Sequence, residues 1–377
     1  MKALLNQLLR LVVAIYTRLR REKIQKIDAP WHPATAPRSI LVFSNTALGD
    51  TLLSTPAIVS LRNAFPDARI TFFTGKAFAP LFASFEAVDS MVLYHGGYRR
   101  FLRTVMELRR QKPEIALLLH SNAPQDIPLA VLSGARVILK TPTKSEYRKY
   151  LSCEFPSRTQ HTIEERLDLV RAIGATSLTR RMSLPRRYGP ATGMAPSGAG
   201  RFKGVTTIGF QAGAANTFKM WPAGYFSALA DRLAENMDDV LIVITGSPGE
   251  HALGEEIIRG CRSANIRNAC GAFRIEELPA LIRGFDLLVS NDTGTMHLAI
   301  ALGTPTLCLF GATSSGLIGP FQDLDKHRVI QKIHESSAHI PKKKRSNAAM
   351  KQITVDEVHA AAIEMLAQRA ETGCTKV

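Results

Sequence analysis

The 377-residue chain is 45% hydrophobic and 21% charged, with a mean hydropathy of −0.01, which argues against a disordered chain and against a polytopic membrane protein. Its five cysteines are scattered without a C-x-x-C pair, which argues against a disulfide framework and a structural zinc site. The formal net charge of +16 predicts an anionic partner. Because the basic residues are dispersed without interleaved aromatics, anionic lipid or a phosphorylated small molecule is favoured over nucleic acid.

Residues 1–27 predict a basic amphipathic helix. One face of this helix is apolar and comprises Leu4, Leu8, Leu11, Val12, Ile15, Tyr16 and Leu19. Asn6, Gln7 and Arg10 interrupt the apolar part, so it is shorter than the roughly 20 residues that cross a bilayer. No small-residue cleavage site follows, which weakens a signal-peptide interpretation. We expect the helix to lie on an anionic inner leaflet, and packing on the protein's own surface is the alternative.

From Ser39 onward, short apolar runs alternate with helical patterns, which predicts parallel sheets covered on both faces. The strand candidates are SILVFSN, ARITFFTG, SMVLYH, EIALLLHS and ARVILK, then TTIGFQ, DVLIVITG, ANIRNACG, DLLVSND and TPTLCLFG. The predicted fold class is α/β, with two Rossmann-like, doubly wound parallel-sheet domains facing a cleft. The predicted segments are the helix at 1–27, a domain at 38–185, a Gly- and Pro-rich linker at 186–204, a domain at 205–345 and a final helix at 354–370.

A carboxylate follows the first predicted strand. In the stretch SNTALGD, Gly49 makes the turn and Asp50 stands at the start of a helix. This position is at the carboxyl end of the strand, where parallel α/β sheets bind ligands. Asp50 is therefore a candidate general base, provided that a substrate hydroxyl comes within hydrogen-bonding reach. An ordinary Asp N-cap is the structural alternative.

A lysine follows the first strand of the second group. The stretch TIGFQAGAANTFKMWPAGYF passes from a strand through small residues to Lys219 and then into a helix. The small residues Gly213, Ala214 and Ala215 would let a ligand approach the backbone, and Lys219 would offer a point charge to a phosphate. A solvated surface lysine is the alternative.

The stretch SNDTGTMHLAIALGTPTLCLFG, from residue 290 to residue 311, places polar residues where a strand becomes a helix. The N–H groups of Thr293, Gly294, Thr295 and Met296 would bind an anion, favoured by the helix dipole. Asp292 is badly placed for a phosphate and well placed to accept hydrogen bonds from sugar hydroxyls. This combination suits a phosphate with a sugar attached, whereas an ordinary helix N-cap is the alternative.

Three motifs together resemble the bacterial heptosyltransferases that act on the lipopolysaccharide inner core, glycosyltransferase family 9. The motifs are Gly49-Asp50 with Thr55-Pro56-Ala57, then Gly213 with Lys219-Met220-Trp221-Pro222, and then Ser290 through Pro305. The resemblance covers about residues 39–370, with the motifs in the family's order. It implies a GT-B fold, an inverting transfer without an obligatory metal or other cofactor, and an ADP-heptose donor.

The resemblance also implies roles for individual residues. Asp50 is the base that deprotonates the acceptor hydroxyl, and Asp292 orients the donor sugar. Lys219 and the N–H groups of Thr293, Gly294 and Thr295 hold the diphosphate and stabilise its leaving charge. His297 is expected near the phosphates and Glu250 at the ribose, while His120 and Asn122 are candidates to line the acceptor site. For His120, a satisfied buried histidine is the alternative.

The sequence departs from the family at two places. Ser44 stands where the family often has a basic residue, and the segment before the last helix lacks the cysteines of many members. Both changes affect the expected acceptor rather than a proposed catalytic group. The partners expected are a nucleotide sugar, a lipid-linked anionic saccharide and an anionic membrane surface, without nucleic acid, and the expected location is the cytoplasmic face of the inner membrane.

Two other functions stay open at this point. One is transfer from a different nucleotide sugar, and the other is nucleotide-sugar binding without catalysis. An NAD-dependent dehydrogenase is disfavoured because no G-x-G-x-x-G motif follows the first strand of either group.

Overall fold

The computed structural model describes residues 2–28, 31, 36–98, 100–156, 159–189, 205–333 and 345–371. The chain divides into two compact units, an N-terminal unit of Met1–Arg186 and a C-terminal unit of Arg187–Val377. Within the described residues, no helix is both long enough and apolar enough to cross a membrane.

The N-terminal unit is built on a parallel sheet with the strand order β3-β2-β1-β4-β5. Its strands are β1 (Ser39–Ser44), β2 (Arg69–Gly75), β3 (Ser90–Tyr94), β4 (Ile115–His120) and β5 (Val137–Lys140). Its helices are α1 (Lys2–Leu19), α2 (Leu48–Ala64), α3 (Phe101–Arg110), α4 (Asp126–Ser133) and α5 (Thr162–Arg171). Every residue of β1 is buried, which explains why this strand is a continuous apolar run instead of an alternating one.

The C-terminal unit has a second parallel sheet, with the strand order β11-β10-β9-β6-β7-β8. Its strands are β6 (Thr206–Gln211), β7 (Val240–Thr245), β8 (Ile266–Asn268), β9 (Leu287–Asn291), β10 (Thr306–Phe310) and β11 (His327–Gln331). Its helices are α6 (Ala223–Asn236), α7 (His251–Arg259), α8 (Leu278–Gly284), α9 (Gly294–Leu302), α10 (Ser315–Ile318), α11 (Ala348–Lys351) and α12 (Val355–Glu371). The prediction of two doubly wound parallel-sheet domains is confirmed.

Each sheet reverses its direction of winding at one pair of strands. In the N-terminal unit the chain adds β2 and β3 on one side of β1 and places β4 and β5 on the other. In the C-terminal unit the same reversal occurs between β6 and β9. The carboxyl ends of such neighbouring strands form a crevice because their connections diverge to opposite sides, and ligands of doubly wound sheets bind there. We call these places the N-terminal switch point, at β1 and β4, and the C-terminal switch point, at β6 and β9.

Trp221 fixes the loop after β6 to the segment just before the final helix, α12. Its indole is buried among Phe226 and Tyr225, and its Nε1 donates a 2.9 Å hydrogen bond to the carbonyl of Ile353, just before α12. The side chains of Met350 and Val358, which flank this carbonyl, belong to the same buried apolar cluster. The final helix is therefore part of the C-terminal unit's core.

Some predicted boundaries differ from the structure. The N-terminal helix ends at Leu19 instead of residue 27, because the following segment leaves the helix and the Gln25 and Ile27 N–H groups bond to the carbonyls of Arg136 and Ser152, at 2.8 and 3.1 Å. Of the predicted linker, Arg186–Tyr188 forms a short 3-10 turn, and residues 190–204 lie outside the described residues. The edge strand β11 was not predicted, and β8 is shorter than its candidate stretch.

The N-terminal helix packs on the core of its unit through a narrow apolar side, which differs from the apolar face predicted from the sequence. Leu9 and Val13 are buried in the apolar cluster that also contains Ile127 and Val131 of α4. The wider apolar face predicted from the sequence stays at the surface, apart from the half-buried Tyr16. The helix thus packs on its own protein, as the alternative supposed, and still leaves its main apolar face uncovered.

His327, the first residue of β11, should make the C-terminal unit sensitive to acid. Burial lowers the pKa of His327 to about 4, from 6.5, and neither ring nitrogen has a hydrogen-bond partner among the described residues. Below pH 6.5 the unfolded chain binds a proton that the folded chain does not, so stability is complete above pH 6.5 and is lost as the pH falls towards 4. This difference corresponds to about 2 kcal/mol at pH 5.

Unfolding by urea, followed through Trp221 in a Trp31→Phe background, checks this prediction, since these are the chain's two tryptophans. Between pH 7 and pH 5, the free energy of unfolding should fall by about 2 kcal/mol more for the parent than for His327→Leu. Equal pH slopes in the two proteins would show that His327 is not the cause. Any uniform cost of the leucine cancels, because the comparison uses the slope.

Candidate functional site

Asp50 lies in the first turn of α2, at the N-terminal switch point. The N-cap residue of this helix is Ala47, so the alternative that Asp50 is the N-cap is wrong. A carboxylate in the first turn is favoured by the helix dipole. The Asp50 side chain is 31% exposed, so it can meet both the protein interior and a ligand.

A buried arginine holds Asp50. Arg166, on α5, is 1% exposed, and its Nη2 lies 3.3 Å from Asp50 Oδ1. Its Nη1 donates to the main-chain carbonyl of Asp50 and, at 2.9 Å, to Ser54 Oγ. Burial lowers the pKa of Arg166, and the nearby carboxylate of Asp50 opposes this shift. The sequence analysis missed Arg166, although a lone arginine in line with Ile163 and Val170 on the buried face of α5 was a usable signal.

His120 and Asn122 lie at the same place, after β4. His120 Nε2 is 3.3 Å from Asp50 Oδ1, and its Nδ1 is 2.5 Å from Thr46 Oγ1, which in turn is 3.3 Å from Asp50 Oδ2. Asn122 Nδ2 is 3.4 Å from His120 Nε2. Burial, followed by the charge of Arg166, lowers the pKa of His120 to about 4. The ring is therefore neutral at pH 7, and its contact with Asp50 is a hydrogen bond between a neutral donor and a carboxylate.

The C-terminal switch point brings Lys219 and Asp292 together. Lys219 ends a 3-10 turn in the loop after β6, Asp292 follows β9, and Lys219 Nζ lies 2.5 Å from Asp292 Oδ2. Asp292 is 5% exposed, and its Oδ2 also accepts a 2.6 Å hydrogen bond from Thr313 Oγ1, in the loop after β10. Lys219 is therefore not an isolated point charge, since its ammonium is balanced by the carboxylate. The sequence analysis missed Thr313.

Asn291 is structural. Its side chain is fully buried, its Nδ2 donates a 2.7 Å hydrogen bond to the carbonyl of Ala212, and its Oδ1 accepts a 3.1 Å hydrogen bond from the N–H of Trp221. One amide thus ties both ends of the β6 loop to the end of β9. Because Lys219 lies between those two ties, this amide fixes the lysine beside the first turn of α9.

The N-terminus of α9 presents N–H groups at the C-terminal switch point. Thr293 is the N-cap residue, and within the described residues its side chain makes no capping hydrogen bond. The first N–H groups of a helix have no partner within the helix, so those of Gly294 and Thr295 suit an anion. Met296 and His297 are buried, so Met296 can contribute only its backbone, and His297 faces the protein interior.

Glu250 also lies at this edge, next to the loop after β6. It closes a capping box after β7, where its Oε2 accepts hydrogen bonds of 2.6 and 2.8 Å from the N–H and Oγ of Ser247. A Cβ on Gly213 would lie 1.7 Å from Glu250 Oε1. The interpretation that Gly213 makes room for a ligand is therefore incomplete, because the protein's own carboxylate already fills the space beside this glycine.

Comparison with known proteins relates the chain to glycosyltransferases. The family model for glycosyltransferase family 9 (heptosyltransferase) matches residues 179–350. Lipopolysaccharide heptosyltransferase 3 of Escherichia coli is 26% identical over 278 residues, which span 70% of this chain and 81% of the relative. Lipopolysaccharide heptosyltransferase 2 of Salmonella typhimurium is 35% identical over 130 residues, 33% of this chain and 36% of the relative. The chain is thus similar to glycosyltransferase family 9 over residues 179–350, and to lipopolysaccharide heptosyltransferases over a larger part of its length.

The structure of this chain is also similar to a solved one. The Escherichia coli ADP-heptose lipopolysaccharide heptosyltransferase II superposes with a TM-score of 0.69 at 21% identity, covering 88% of this chain and 99% of that protein. The fold class is accordingly GT-B. The family match includes Lys219, Asp292 and the start of α9, whereas Asp50 and His120 lie outside it.

The contact between Gly213 and Glu250 gives a double-mutant prediction. Gly213→Ala should destabilise the protein by about 1–3 kcal/mol, because the added methyl group has to displace the Glu250 carboxylate. In a Glu250→Ala background the same change should cost less than about 0.5 kcal/mol, since the clash is gone. Urea unfolding followed through Trp221 measures both values.

The control is Gly224→Ala near the start of α6, where no described atom lies within 4 Å of the new Cβ. This variant should be as stable as the parent or more so. An equal cost of Gly213→Ala with and without Glu250 would mean that something other than this carboxylate fills the space.

Proposed function

We propose that this protein is an inverting heptosyltransferase that moves a heptose from ADP-heptose to a hydroxyl of a lipopolysaccharide core acceptor. One observation carries the proposal: each sheet has a distinct charged cluster at its own switch point. The C-terminal switch point combines helix N–H groups with the Lys219–Asp292 pair, which suits a sugar diphosphate. The N-terminal switch point has Asp50, a half-exposed carboxylate that suits a general base. The names of the relatives support the choice of a heptose.

In the donor half of the reaction, the N–H groups of Thr293, Gly294 and Thr295 and the ammonium of Lys219 bind the diphosphate. The bond from the anomeric carbon to the phosphate oxygen breaks, and its electron pair leaves with ADP. The same donors stabilise the charge that develops on this oxygen. Asp292 accepts hydrogen bonds from the sugar hydroxyls, and Glu250 contacts the ribose. Both carboxylates are held by protein donors, which orients them for this purpose.

In the acceptor half, Asp50 takes the proton of the attacking hydroxyl as its oxygen bonds to the anomeric carbon. Arg166 and the neutral ring of His120 share Asp50 Oδ1, whereas Oδ2 meets only the Thr46 hydroxyl among the contacts described above. We therefore assign Oδ2 as the oxygen that takes the proton. His120 and Asn122 lie beside it and line the acceptor site.

The acceptor proposed is an anionic, lipid-linked core saccharide, and the location proposed is the cytoplasmic face of the inner membrane. The net charge of +16 supports both assignments, because it favours association with anionic molecules and anionic surfaces. The segments proposed are an acceptor domain at 38–185, a linker at 186–204, a donor domain at 205–345 and a final helix at 354–370.

The donor can be identified by thermal unfolding in the presence of nucleotide sugars. ADP-heptose at a hundred times its Kd should stabilise the protein by about 2.7 kcal/mol, and UDP-, GDP- and CMP-sugars should not at the same concentration. Lys219→Met should weaken ADP-heptose binding by roughly 10- to 100-fold, because it removes a charged hydrogen bond. Lys351→Met, an exposed lysine of the same unit, is the matched control. Stabilisation by a uridine donor would reject the heptose assignment and leave the fold class intact.

Asp50→Asn separates an enzyme from a binding protein. We expect kcat to fall by roughly 10²- to 10⁴-fold, because the amide cannot take the proton, while ADP-heptose affinity stays unchanged. Asp67→Asn, an exposed aspartate just after α2, should leave both values as they are. Turnover that survives Asp50→Asn would exclude Asp50 as the base. Donor binding without turnover in the parent protein would favour a non-catalytic nucleotide-sugar-binding protein.

A further inference from the structure

Helix α1 presents a broad apolar face to solvent. Six of its large apolar side chains are exposed by between 41% and 75%, namely Leu4, Leu8, Leu11, Val12, Ile15 and Leu19. Their spacing of three, four, seven and eight residues puts them on one side of the helix. A continuous stripe of this kind differs from the scattered single apolar residues that are normal on protein surfaces, and it indicates an interaction surface.

The opposite side of α1 is anchored, so this apolar face cannot turn inward. Leu9 and Val13 are buried in the core of the N-terminal unit. Just beyond the helix, Arg20 Nη2 donates to the carbonyls of Gly134 and Ala135, at 3.0 and 3.1 Å, and Asn6 accepts a hydrogen bond from the Tyr98 hydroxyl. The helix is held at both ends and in its middle.

Helix α3 lies alongside and adds to the exposed apolar area. Leu102 and Met106 are 76% and 54% exposed. They share one side of α3 with Arg109, at spacings of four and three residues, and the Arg109 guanidinium lies 5.3 Å from the ring centre of Tyr16. We call the exposed apolar residues of α1, together with Leu102 and Met106, the α1–α3 surface.

Cationic groups border the α1–α3 surface. A groove of about 470 Å³ is lined by Val12, Ile15, Tyr16, Leu19 and Arg20. The guanidinium groups of Arg20 and Arg109 lie 5.7 and 5.3 Å from the same Tyr16 ring. Burial lowers the pKa of Arg20, Tyr16 and Glu22 oppose this shift, and the charges of Arg109 and Arg136 add to it. Residues 2–26 have seven basic side chains and one acidic one.

We propose that the α1–α3 surface docks on an anionic phospholipid bilayer. The apolar side chains enter the boundary between head groups and acyl chains, and the surrounding arginines meet the lipid phosphates, as in helices that lie in the membrane plane. This inference rests on the proposed function only for the choice of a membrane as partner. Vesicle binding requires no sugar donor. Membrane docking can therefore fail its test while the transfer reaction is confirmed, and docking can be confirmed while the transfer reaction fails.

A second copy of the chain fits this surface less well. In a symmetric dimer through the α1–α3 surface, the same basic residues of both copies would face each other across an apolar contact. Like charges brought together in this way oppose association, whereas a bilayer that contains anionic lipid attracts them. The charge of the border therefore selects the lipid surface.

Sedimentation with vesicles tests the proposal. The full-length protein should bind vesicles of phosphatidylcholine with one-third phosphatidylglycerol, bind less at high salt, and bind pure phosphatidylcholine weakly. The variant Leu8→Gln, Leu11→Gln, Ile15→Gln changes only exposed positions, so it should fold normally and lose at least about tenfold in partitioning. The matched control is Leu324→Gln, Ile333→Gln, which changes two exposed apolar residues of the C-terminal unit and should bind as the parent does.

A second variant tests the cationic border separately. Arg18→Gln, Arg21→Gln changes two exposed arginines near the end of α1, and each should lower partitioning to anionic vesicles about fivefold. Neither variant should alter binding to ADP-heptose. The proposal is overturned if the parent does not bind anionic vesicles, or if the three-glutamine variant binds them equally well. It is also overturned if light scattering shows a parent dimer that this variant converts to a monomer, because the occupant would then be a second copy.

Discussion

The clusters at both switch points depend on the cost of burying a charge without a partner. The guanidinium of Arg166 has almost no exposed surface, so it requires the carboxylate and the carbonyl of Asp50. Asp292 is nearly as buried, and it requires Lys219 and Thr313. Each pair fixes the position of a group that stays partly open to solvent, since Asp50 and Lys219 are the exposed members of their pairs. Burial of one charge thus orients the other.

This arrangement also explains why the ionisable groups differ in character. Burial and Arg166 keep His120 neutral, so the group beside the Asp50 carboxylate is a neutral ring and not an imidazolium. At the C-terminal switch point the carboxylate of Asp292 is the buried member, and its partner is the ammonium of Lys219. One cluster has an accessible anion and the other has an accessible cation with helix N–H groups. These are the opposite requirements of a hydroxyl that loses a proton and a diphosphate that leaves.

The sequence was sufficient for ten of the eleven strands described and for the residues that end them, because a buried parallel strand is a continuous apolar run whose end is easy to see. Asp50, His120, Lys219 and Asp292 were found for this reason. Arg166 was not, because it is 116 residues from Asp50 in the chain and only the packing of α5 on α2 brings the two together. Strand β11 was missed because it lies at the sheet edge, where only one of its five residues is buried and the apolar run is short. The predicted N-terminal helix is too long because residues 20–27 continue its basic composition. In the structure, N–H groups of this segment instead bond to the carbonyls of Arg136 and Ser152.

At two places the sequence pattern and the structure lead to different interpretations. The small residues after β6 resemble a loop shaped by a ligand, yet Gly213 is required by the carboxylate of Glu250, which the protein supplies itself. The apolar face of α1 resembles a surface made for packing, yet the core buries Leu9 and Val13, on the helix's other side, and only Tyr16 of this face packs partly against it in the described part of the chain. In both cases the residue type can be interpreted from the sequence. Which neighbouring group it contacts is decided by contacts between distant parts of the chain. The apolar side chains of α1 that the core leaves uncovered are exposed to water, which is unfavourable. A partner that covers them and also pairs with the surrounding basic residues has to be both apolar and anionic.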